Sequence, residues 1–321
     1  MNKIKLLLLI FGLLNISVSI AQTAEPTGTI EIRAKAENLT GMANSGSEGI
    51  VSGLRIAALP ILRPGEIMEM VPGLIVTQHA GDGKANQYFL RGFNLDHGTD
   101  FATYVNGVPA NMPTHAHGQG YTDLNFLIPE LVDLIAYKKG TYSAMDGDFS
   151  AAGSARLEYR KSLDGHLAEV TAGANGYKRL LLAGSPKRQD GQWLYGLEVF
   201  KNDGPWLVPE NYQKLNGVLS YSDGTRLNGY SVTGMLYKSS WISTDQVPLR
   251  AINQGLIGRF GSLDPTTGGE THRYSVSSQW AQTGKDRQTK ANFWALDSAL
   301  DLWSNFEYCT GSIEKTGNCA A

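Results

Sequence analysis

Two patterns of hydrophobic and polar positions divide the chain. Between residues 54 and 159, short apolar runs alternate with turns rich in Gly, Asn and Asp. This texture predicts a compact mixed domain of helices and strands. Beyond Tyr159, segments of about ten residues alternate between apolar and polar positions, and turn residues separate them. The second pattern predicts long antiparallel strands.

The predicted strands are joined as hairpins. Asn175-Gly176, Asp190-Gly191 and Asp203-Gly204 each stand between alternating segments, and such pairs are strong hairpin signals. About seven long strands result, with Tyr and Trp recurring near their ends as in the aromatic girdles of membrane barrels. The alternative is a soluble β-sandwich, whose strands usually have about 5–6 residues. The longer segments favour a membrane barrel.

The N-terminus has the order of a secretory signal. Two lysines precede the apolar stretch Leu6 to Leu14, and Ser19-Ile20-Ala21 places small residues before a cleavage point. The apolar stretch is too short to span a bilayer as a helix, which needs about 20 residues. We predict a cleavable signal peptide over residues 1–21, with an uncleaved anchor as the alternative. A flexible polar lead, residues 22–49, follows.

Composition and charge narrow the function. The chain of 321 residues is 42% hydrophobic and 18% charged, which is too apolar for a disordered chain. Its formal net charge is -2, with both signs mixed along the chain, so we expect no nucleic-acid binding. Cys309 and Cys319 meet an oxidising compartment if the chain is exported. A local disulfide is expected, with two free thiols or other partners as alternatives.

Motifs of enzymes are missing from the sequence. It contains no Gly-x-Ser-x-Gly elbow, phosphate loop or His-Glu-x-x-His motif. The paired carboxylates Asp146 and Asp148 lie in a Gly-rich turn, where turn chemistry explains them. We therefore expect no enzyme and no cofactor. A metallohydrolase built on the histidines is the remaining enzymatic alternative.

Three stretches of the first domain carry a family resemblance. In the first, Pro64 to Val76, a short helix is closed by Val71-Pro72-Gly73 and passes into a strand, because Pro72 stops the helix and Gly73 permits the turn. The second runs from Tyr88 through Arg91-Gly92-Phe93 to a strand that ends in Asn106-Gly107-Val108-Pro109. The third, Leu127 to Gly140, is followed by a Gly-rich segment.

Together these stretches, over roughly residues 50 to 160, resemble the plug of the TonB-dependent receptor family. Asn106 stands where Asp is more usual in that family, and both residues tolerate a left-handed turn. Lys139-Gly140-Thr141 replaces the commoner Arg-Gly-Pro. The resemblance implies an α+β plug domain over residues 50–160, followed by antiparallel transmembrane β-barrel strands over residues 161–321.

The barrel implied by the resemblance is incomplete in this chain. Receptors of this type have about 22 strands, which at about ten residues per strand needs roughly 400 residues. An open sheet edge in lipid would leave unsatisfied backbone groups. We therefore expect the front part of a longer receptor that ends in a cysteine-bearing extracellular loop. Alone it is predicted neither to insert nor to transport.

The resemblance also implies partners. A plugged barrel of this kind sits in outer-membrane lipid, binds a scarce small ligand outside the cell, and yields when a TonB-type energy-transducing protein pulls on it. That protein pairs with a short extended segment near the mature N-terminus, mainly through main-chain groups. The candidate segment comprises Thr29, Ile30, Glu31, Ile32, Arg33 and Ala34; the alternative is an inert linker.

Candidate ligand-binding residues lie in loops of the predicted plug. His115 and His117 share a Gly/Pro/Asn loop, His97 lies in another, and imidazoles bind transition metals or hydrogen-bond a chelate. The alternative is histidines that only hydrogen-bond the barrel wall. Arg91, with Gly92, resembles buried plug arginines that pair with barrel carboxylates, so we assign it a structural role, as for Pro72 and Gly73.

The predicted function is uptake of a ferric chelate, another metal complex or an organic nutrient; the alternative is a non-transporting binding or adhesion protein.

Overall fold

The computed structural model describes residues 42–115, 118–186 and 191–304. Short strands and helical turns extend to Tyr159, and a sheet of long strands begins at His166. We call these parts the mixed region and the long sheet. The predicted signal peptide, the segment 29–34 and both cysteines lie outside the described residues. Within the described ranges, the helices are too short or too polar to cross a bilayer.

The mixed region is built around a sheet of six strands. Its described strands are β1 (Met42–Ser45), β2 (Glu48–Ser52), β3 (Leu74–Thr77), β4 (Gln87–Leu90), β5 (Phe93–Asn94), β6 (Phe101–Val105), β7 (Val108–Pro109), β8 (Asn111–Met112), β9 (Tyr121–Thr122), β10 (Val132–Lys138) and β11 (Gly153–Tyr159). The main sheet has the order β1-β2-β10-β11-β6-β7, and β11 pairs with β6 in parallel. Smaller sheets contain β3-β4-β5 and β8-β9. The sheet thus begins inside the stretch that the sequence analysis treats as a flexible lead.

Short helical elements connect these strands. They are α1 (Gly53–Ala57) and the 3-10 helices Pro64–Met70, Pro129–Leu131 and Ala144–Asp146. At the start of the longest one, the Glu66 carboxylate accepts hydrogen bonds from the backbone N–H groups of Leu62 and Arg63 at 3.0 and 3.1 Å. After it, Gly73 takes a φ of +84° and β3 begins at Leu74. The Pro72-Gly73 pair therefore ends the helix where the sequence predicts.

Asn106 occupies a left-handed turn between β6 and β7. Its φ is +46°, which Asn tolerates better than most residues. Its buried side-chain oxygen accepts a hydrogen bond from the Tyr159 N–H at 2.8 Å, at the end of β11. Asn106 thus joins the turn to the neighbouring part of the sheet, using the same acceptor atom that an Asp would offer.

The long sheet contains seven strands in the described part of the chain, as the sequence predicts. They are β12 (His166–Ala172), β13 (Lys178–Gly184), β14 (Gln192–Asn202), β15 (Tyr212–Gly224), β16 (Asn228–Ile242), β17 (Gly268–Thr283) and β18 (Gln288–Trp303). All neighbours are antiparallel and follow chain order. Short turns alternate with longer connections, one of which carries α2 (Leu249–Asn253).

The polarity of the two faces of the long sheet is the reverse of that in soluble proteins. The outer face exposes apolar side chains, among them Leu180, Leu197, Leu215, Leu219, Leu236 and Phe293. The inner face buries polar ones, among them Glu198, Lys214, Asn216, Ser220, Thr233 and Arg273. A wall that is apolar outside and polar inside is typical of membrane barrels, whereas a soluble sandwich buries its apolar faces.

The mixed region packs against the inner face of the long sheet. Leu127, Ile128 and Leu131 belong to the same buried hydrophobic cluster as Leu181 and Leu194 of the sheet. The approach is close at Gly196, where an added Cβ would lie 2.6 Å from the Leu131 Cδ1 atom.

Sheet side chains also donate hydrogen bonds to backbone carbonyls of the mixed region. The Asn216 amide donates to the Asn125 carbonyl at 3.0 Å, and the Asn292 amide donates to the Gly107 carbonyl at 2.8 Å. The Arg273 guanidinium donates to the Pro109 carbonyl. These bonds satisfy polar groups on both sides of the interface.

Candidate ligand-binding site

Three loops of the mixed region bring histidines to Tyr121. His79 lies between β3 and β4, His97 between β5 and β6, and His115 between β8 and β9. The His115 ring stacks on the Tyr121 ring with centroids 4.0 Å apart, and the His97 ring lies 5.4 Å from it. The structure therefore places the predicted residues His97 and His115 around one side chain. His117 lies outside the described residues.

His97 is buried and firmly oriented. Its Nδ1 atom lies 3.1 Å from the carbonyl oxygens of Ala85 and Asn86. A carbonyl only accepts hydrogen bonds, so Nδ1 carries the proton in this arrangement. The other ring nitrogen, Nε2, lies 3.2 Å from Nε2 of His79. The His97 ring is thus fixed by main-chain groups and faces a second imidazole.

Tyr121 anchors the cluster from the buried side. Its hydroxyl oxygen accepts a hydrogen bond from the Ala85 N–H at 2.8 Å. Burial, and then the nearby Asp123 carboxylate, raise the pKa of Tyr121 far above its usual value. Tyr121 therefore stays protonated and supplies a polar hydroxyl together with an aromatic face.

Asp123 is the acidic group of this site. Burial raises its pKa from 3.8 to about 6, while the Asn125 N–H and the Arg273 guanidinium partly offset that rise. The Asn125 N–H donates to the carboxylate at 2.8 Å. Asp123 thus titrates in a range where small changes of pH alter the charge of the site.

A cavity of about 520 Å³ lies between the mixed region and the long sheet. The mixed region contributes His115, Tyr121 and Asp123 to its wall, and the sheet contributes Tyr237, Arg273 and Ser298. Pockets of about 300–1,000 Å³ suit small ligands. The cavity therefore has room for a small molecule between an imidazole, a carboxylate and a guanidinium.

Arg273 is the cation of the cavity wall. Its guanidinium lies 4.8 Å from the centroid of the Phe126 ring and donates to the Pro109 carbonyl. Its Nε atom is buried and has no hydrogen-bond partner among the described residues. Arg273 and Tyr121 were not predicted from the sequence. The feature that could have indicated Arg273 is a cationic side chain at an inward-facing position of an alternating strand.

The loop of residues 78–86 forms an ion pair and hydrogen bonds with the connections between strands of the long sheet. The Lys84 ammonium and the Asp245 carboxylate form a buried ion pair of 2.6 Å. The Asn202 amide donates to Asp82 at 2.7 Å, and the Asp82 N–H donates to Glu210 at 3.3 Å. Burial, and then the charge of Asp82, raise the pKa of Glu210. The loop that carries His79 is thus coupled to the sheet's connections.

Arg91 differs from its expected environment. The side chain is exposed, its φ is +54°, and its guanidinium donates to Ser47 at 3.5 Å. No carboxylate of the described residues forms an ion pair with it. The expected ion pair to a barrel carboxylate is not formed among the described residues, and it stays a prediction for the rest of the barrel wall.

Metal ligation has no ready-made cage here. In the ranges 42–115, 118–186 and 191–304, no group of three or more His, Cys, Asp or Glu side chains is arranged to hold a metal ion. The His79 ring contacts the His97 ring, whereas the His115 ring stacks on Tyr121.

Comparison with known proteins identifies the mixed region. The family model described as "TonB-dependent Receptor Plug Domain" matches residues 41–154. Residues 41–154 form a plug domain of the TonB-dependent receptor type. The plug is followed by the first strands of the barrel wall, so the predicted fold class is confirmed and the barrel is present only in part.

Solved structures share this architecture at low sequence identity. The ferric citrate transporter FecA has a TM-score of 0.65 and 12% identity, and the match covers 81% of this chain and 41% of FecA. The copper transporter OprC has a TM-score of 0.56 and 16% identity, with 81% and 38% covered. The siderophore receptor PiuA from Acinetobacter baumannii has a TM-score of 0.56 and 17% identity, with 79% and 36% covered. The chain thus spans less than half the length of each.

Proposed function

We propose that this chain belongs to an outer-membrane receptor for energy-coupled uptake of a small metal-bearing ligand and contains residues that bind that ligand. The observation that carries the proposal is the group of imidazoles around Tyr121, beside a cavity closed by the barrel wall. His115 and Tyr121 line that cavity, and Arg273 faces them from the wall. Imidazole is a common ligand of transition metals, and guanidinium groups recognise anionic chelators.

The similar structures are consistent with a metal-bearing ligand. They are a ferric citrate transporter, a copper transporter and a siderophore receptor. With identities of 12–17%, these likenesses concern the fold. The choice of a metal complex for this protein therefore rests on its own histidines, with an organic nutrient as the competing ligand.

Membrane placement follows from the outer face of the long sheet. Leu197, Leu215, Leu219 and Leu236 are exposed at neighbouring positions of three strands, and lipid tails are the solvent that favours such a surface. Residues 1–21 would direct export as a cleavable signal peptide. In this proposal the plug faces the inside of the barrel, and its histidine loops meet ligand that arrives from outside the cell.

Energy coupling is assigned to the segment Thr29–Ala34. It would pair as an added strand with a TonB-type protein in the periplasm. Pulling on this segment would displace the plug from the barrel wall and open a path for the ligand. The role proposed is that of a transporter and receptor, so binding and displacement take the place of chemistry on the ligand.

The test is metal uptake by cells that lack the gene. The complete gene, a variant without residues 29–34 and a control variant without residues 35–40 are returned to these cells. Uptake of radiolabelled iron, zinc, copper or nickel should be restored by the complete gene and the control but not by the variant without residues 29–34. If all three genes restored metal uptake, the segment 29–34 would not be required for uptake. Ligand binding without uptake would favour the adhesion or binding role.

A second comparison locates the ligand. His115→Ala should lower uptake of the same metal about tenfold, whereas His166→Ala, on the outer part of β12, should leave it unchanged. Equal uptake by both variants would move the ligand site away from Tyr121. No defect under any metal limitation would exclude a metal and direct the search to organic ligands.

A further inference from the structure

His79 and His97 bring two metal-ligating nitrogens together in the described plug. Their Nε2 atoms are 3.2 Å apart, although the residues lie 18 positions apart in the chain. The loop of residues 78–86 brings His79 over the ring of His97. This pair is distinct from His115, which stacks on Tyr121 and lines the cavity.

His97 is held in the orientation that a metal ligand requires. A ligating histidine donates its second ring N–H to a carbonyl or carboxylate, which fixes the tautomer and aims the lone pair of the other nitrogen. In His97, the carbonyls of Ala85 and Asn86 take that role at Nδ1, both at 3.1 Å. Nε2 is therefore the lone-pair nitrogen of the neutral ring, and it points to His79.

The distance between the two nitrogens suits one ion. Transition metals bind imidazole nitrogens at about 2.0–2.1 Å. With the Nε2 atoms 3.2 Å apart, an ion at that distance from both would see them at an angle of about 100°. This angle is near the tetrahedral value, so the spacing of the two nitrogens is compatible with one shared ion once each ring turns its lone pair from the other nitrogen towards the ion.

The surroundings favour a cation and leave it accessible. The Asp96 carboxylate lies 3.7 Å from Nε2 of His97, and its side chain is 48% exposed. His79 is only partly buried, whereas the His97 side chain is 3% exposed. An ion here would have one fixed ligand, one ligand at the surface, and further positions open to water or to donor atoms of a chelator.

We propose that His79 and His97 together bind one borderline divalent transition-metal ion, Cu²⁺, Ni²⁺ or Zn²⁺, through their Nε2 atoms. Imidazole suits these ions better than it suits Mg²⁺ or Ca²⁺. Ion binding replaces the contact between the two rings and requires His79 to carry its proton on Nδ1. The inference rests on the proposed function for its biological meaning, but the binding of the ion is tested without transport.

The probe is Cu²⁺ alone, added to the purified protein without a histidine tag in detergent. Electron paramagnetic resonance should show one bound ion with splitting from two imidazole nitrogens. His79→Gln should weaken binding about tenfold or more and reduce the pattern to one nitrogen. His272→Gln, on the outer face of β17, should change neither. His97→Gln serves as a second variant, with protease resistance of the plug as the check that it folds.

The histidine loop provides the decisive comparison. A variant with His115→Gln and His117→Gln should keep the two-nitrogen signal if the ion sits between His79 and His97. Loss of the signal in that variant, or its persistence in His79→Gln, would overturn the proposal. Binding at His79 and His97 in a protein that fails to import metals would refute the proposed function and leave this site intact. Metal uptake without ion binding at His79 and His97 would support the proposed function and refute this site.

Discussion

Glu130 of the plug and Arg179 of the barrel wall form a two-point ion pair. The Nη1–Oε1 and Nη2–Oε2 distances are 2.7 and 3.0 Å. The same guanidinium donates from Nε to Glu198 at 2.6 Å, and Glu198 also accepts from Lys214 at 2.9 Å. Parallel hydrogen bonds between a guanidinium and a carboxylate fix direction as well as distance. Glu130 therefore sets the orientation of the plug segment that follows it.

Glu130→Gln should loosen the plug by about 1–2 kcal/mol, because it removes the charge of this pair while Glu198 still holds Arg179. The effect is modest because the Glu130 side chain is 31% exposed. The measurement is the urea midpoint at which protease cuts the plug of the purified protein. Glu169→Gln, whose carboxylate lies 3.5 Å from Arg179, is the control and should leave the midpoint nearly unchanged. Equal shifts would contradict the assignment.

Lys84→Met should lower the stability of the loop of residues 78–86 by about 3–5 kcal/mol, since it leaves the buried Asp245 without its charge partner. Replacing both residues, Lys84→Met with Asp245→Leu, should recover most of this loss. Hydrogen exchange of the loop's amides measures both. A double variant as unstable as the single one would show that the ion pair itself is not the source.

Gly83→Ala should destabilise the plug by several kcal/mol. The added Cβ would lie 2.2 Å from the Trp241 ring, and the φ of +95° is unfavourable for Ala. Gly92→Ala is the matched control, since its φ is +81° and no atom lies within 4 Å of an added Cβ. It should cost only about 1–2 kcal/mol of backbone strain. Thermal unfolding of the two purified variants compares them, and similar midpoints would refute the predicted clash.

Asp123 should make the plug less stable as the pH rises from about 4 to about 6. Its pKa is higher in the folded protein, about 6, than the ordinary 3.8, so folding favours the protonated carboxyl. That contribution is complete below the ordinary pKa and is lost as the pH passes the folded pKa. A difference of about two pH units corresponds to up to about 3 kcal/mol. Asp123→Asn should flatten the pH dependence of the unfolding midpoint in this window; an unchanged slope would exclude Asp123.

Asn106→Asp should change stability by less than about 1 kcal/mol, because the carboxylate keeps the acceptor for the Tyr159 N–H and tolerates the left-handed turn. Asn106→Ala loses both advantages and should cost about 2–3 kcal/mol. Urea unfolding of the two variants measures the difference. Equal losses would mean that the side-chain acceptor is not what matters at this turn.

Much of the fold can be predicted from turn residues and from the alternation of apolar and polar positions. Pro72-Gly73 marks the end of a helix, and alternating segments with Asn175-Gly176 and Asp203-Gly204 between them mark hairpins of the long sheet. The strand order within that sheet follows because each strand pairs with its neighbour in the chain. The parallel pairing of β11 with β6 cannot be predicted from local sequence, because it joins residues about fifty positions apart.

The candidate site was only partly predictable. His97 and His115 stand out as imidazoles in polar loops, but the residue that brings them together is Tyr121, whose role depends on the packing of three loops. Arg273 reaches the site from a strand more than 150 residues later, and sequence periodicity tells only that it points inward. The left-handed φ of Arg91 is a local feature that a family motif does not reveal.

Part of the contact between the barrel wall and the plug is made to backbone carbonyls, at Gly107, Pro109 and Asn125. Every residue has a carbonyl, so substitutions of plug side chains can accumulate without disturbing these contacts. At these three positions the wall therefore places few demands on residue identity, in contrast to its side-chain contacts with Glu130 and Lys84. The sequence of the plug can change at the three positions while the plug continues to fit the wall.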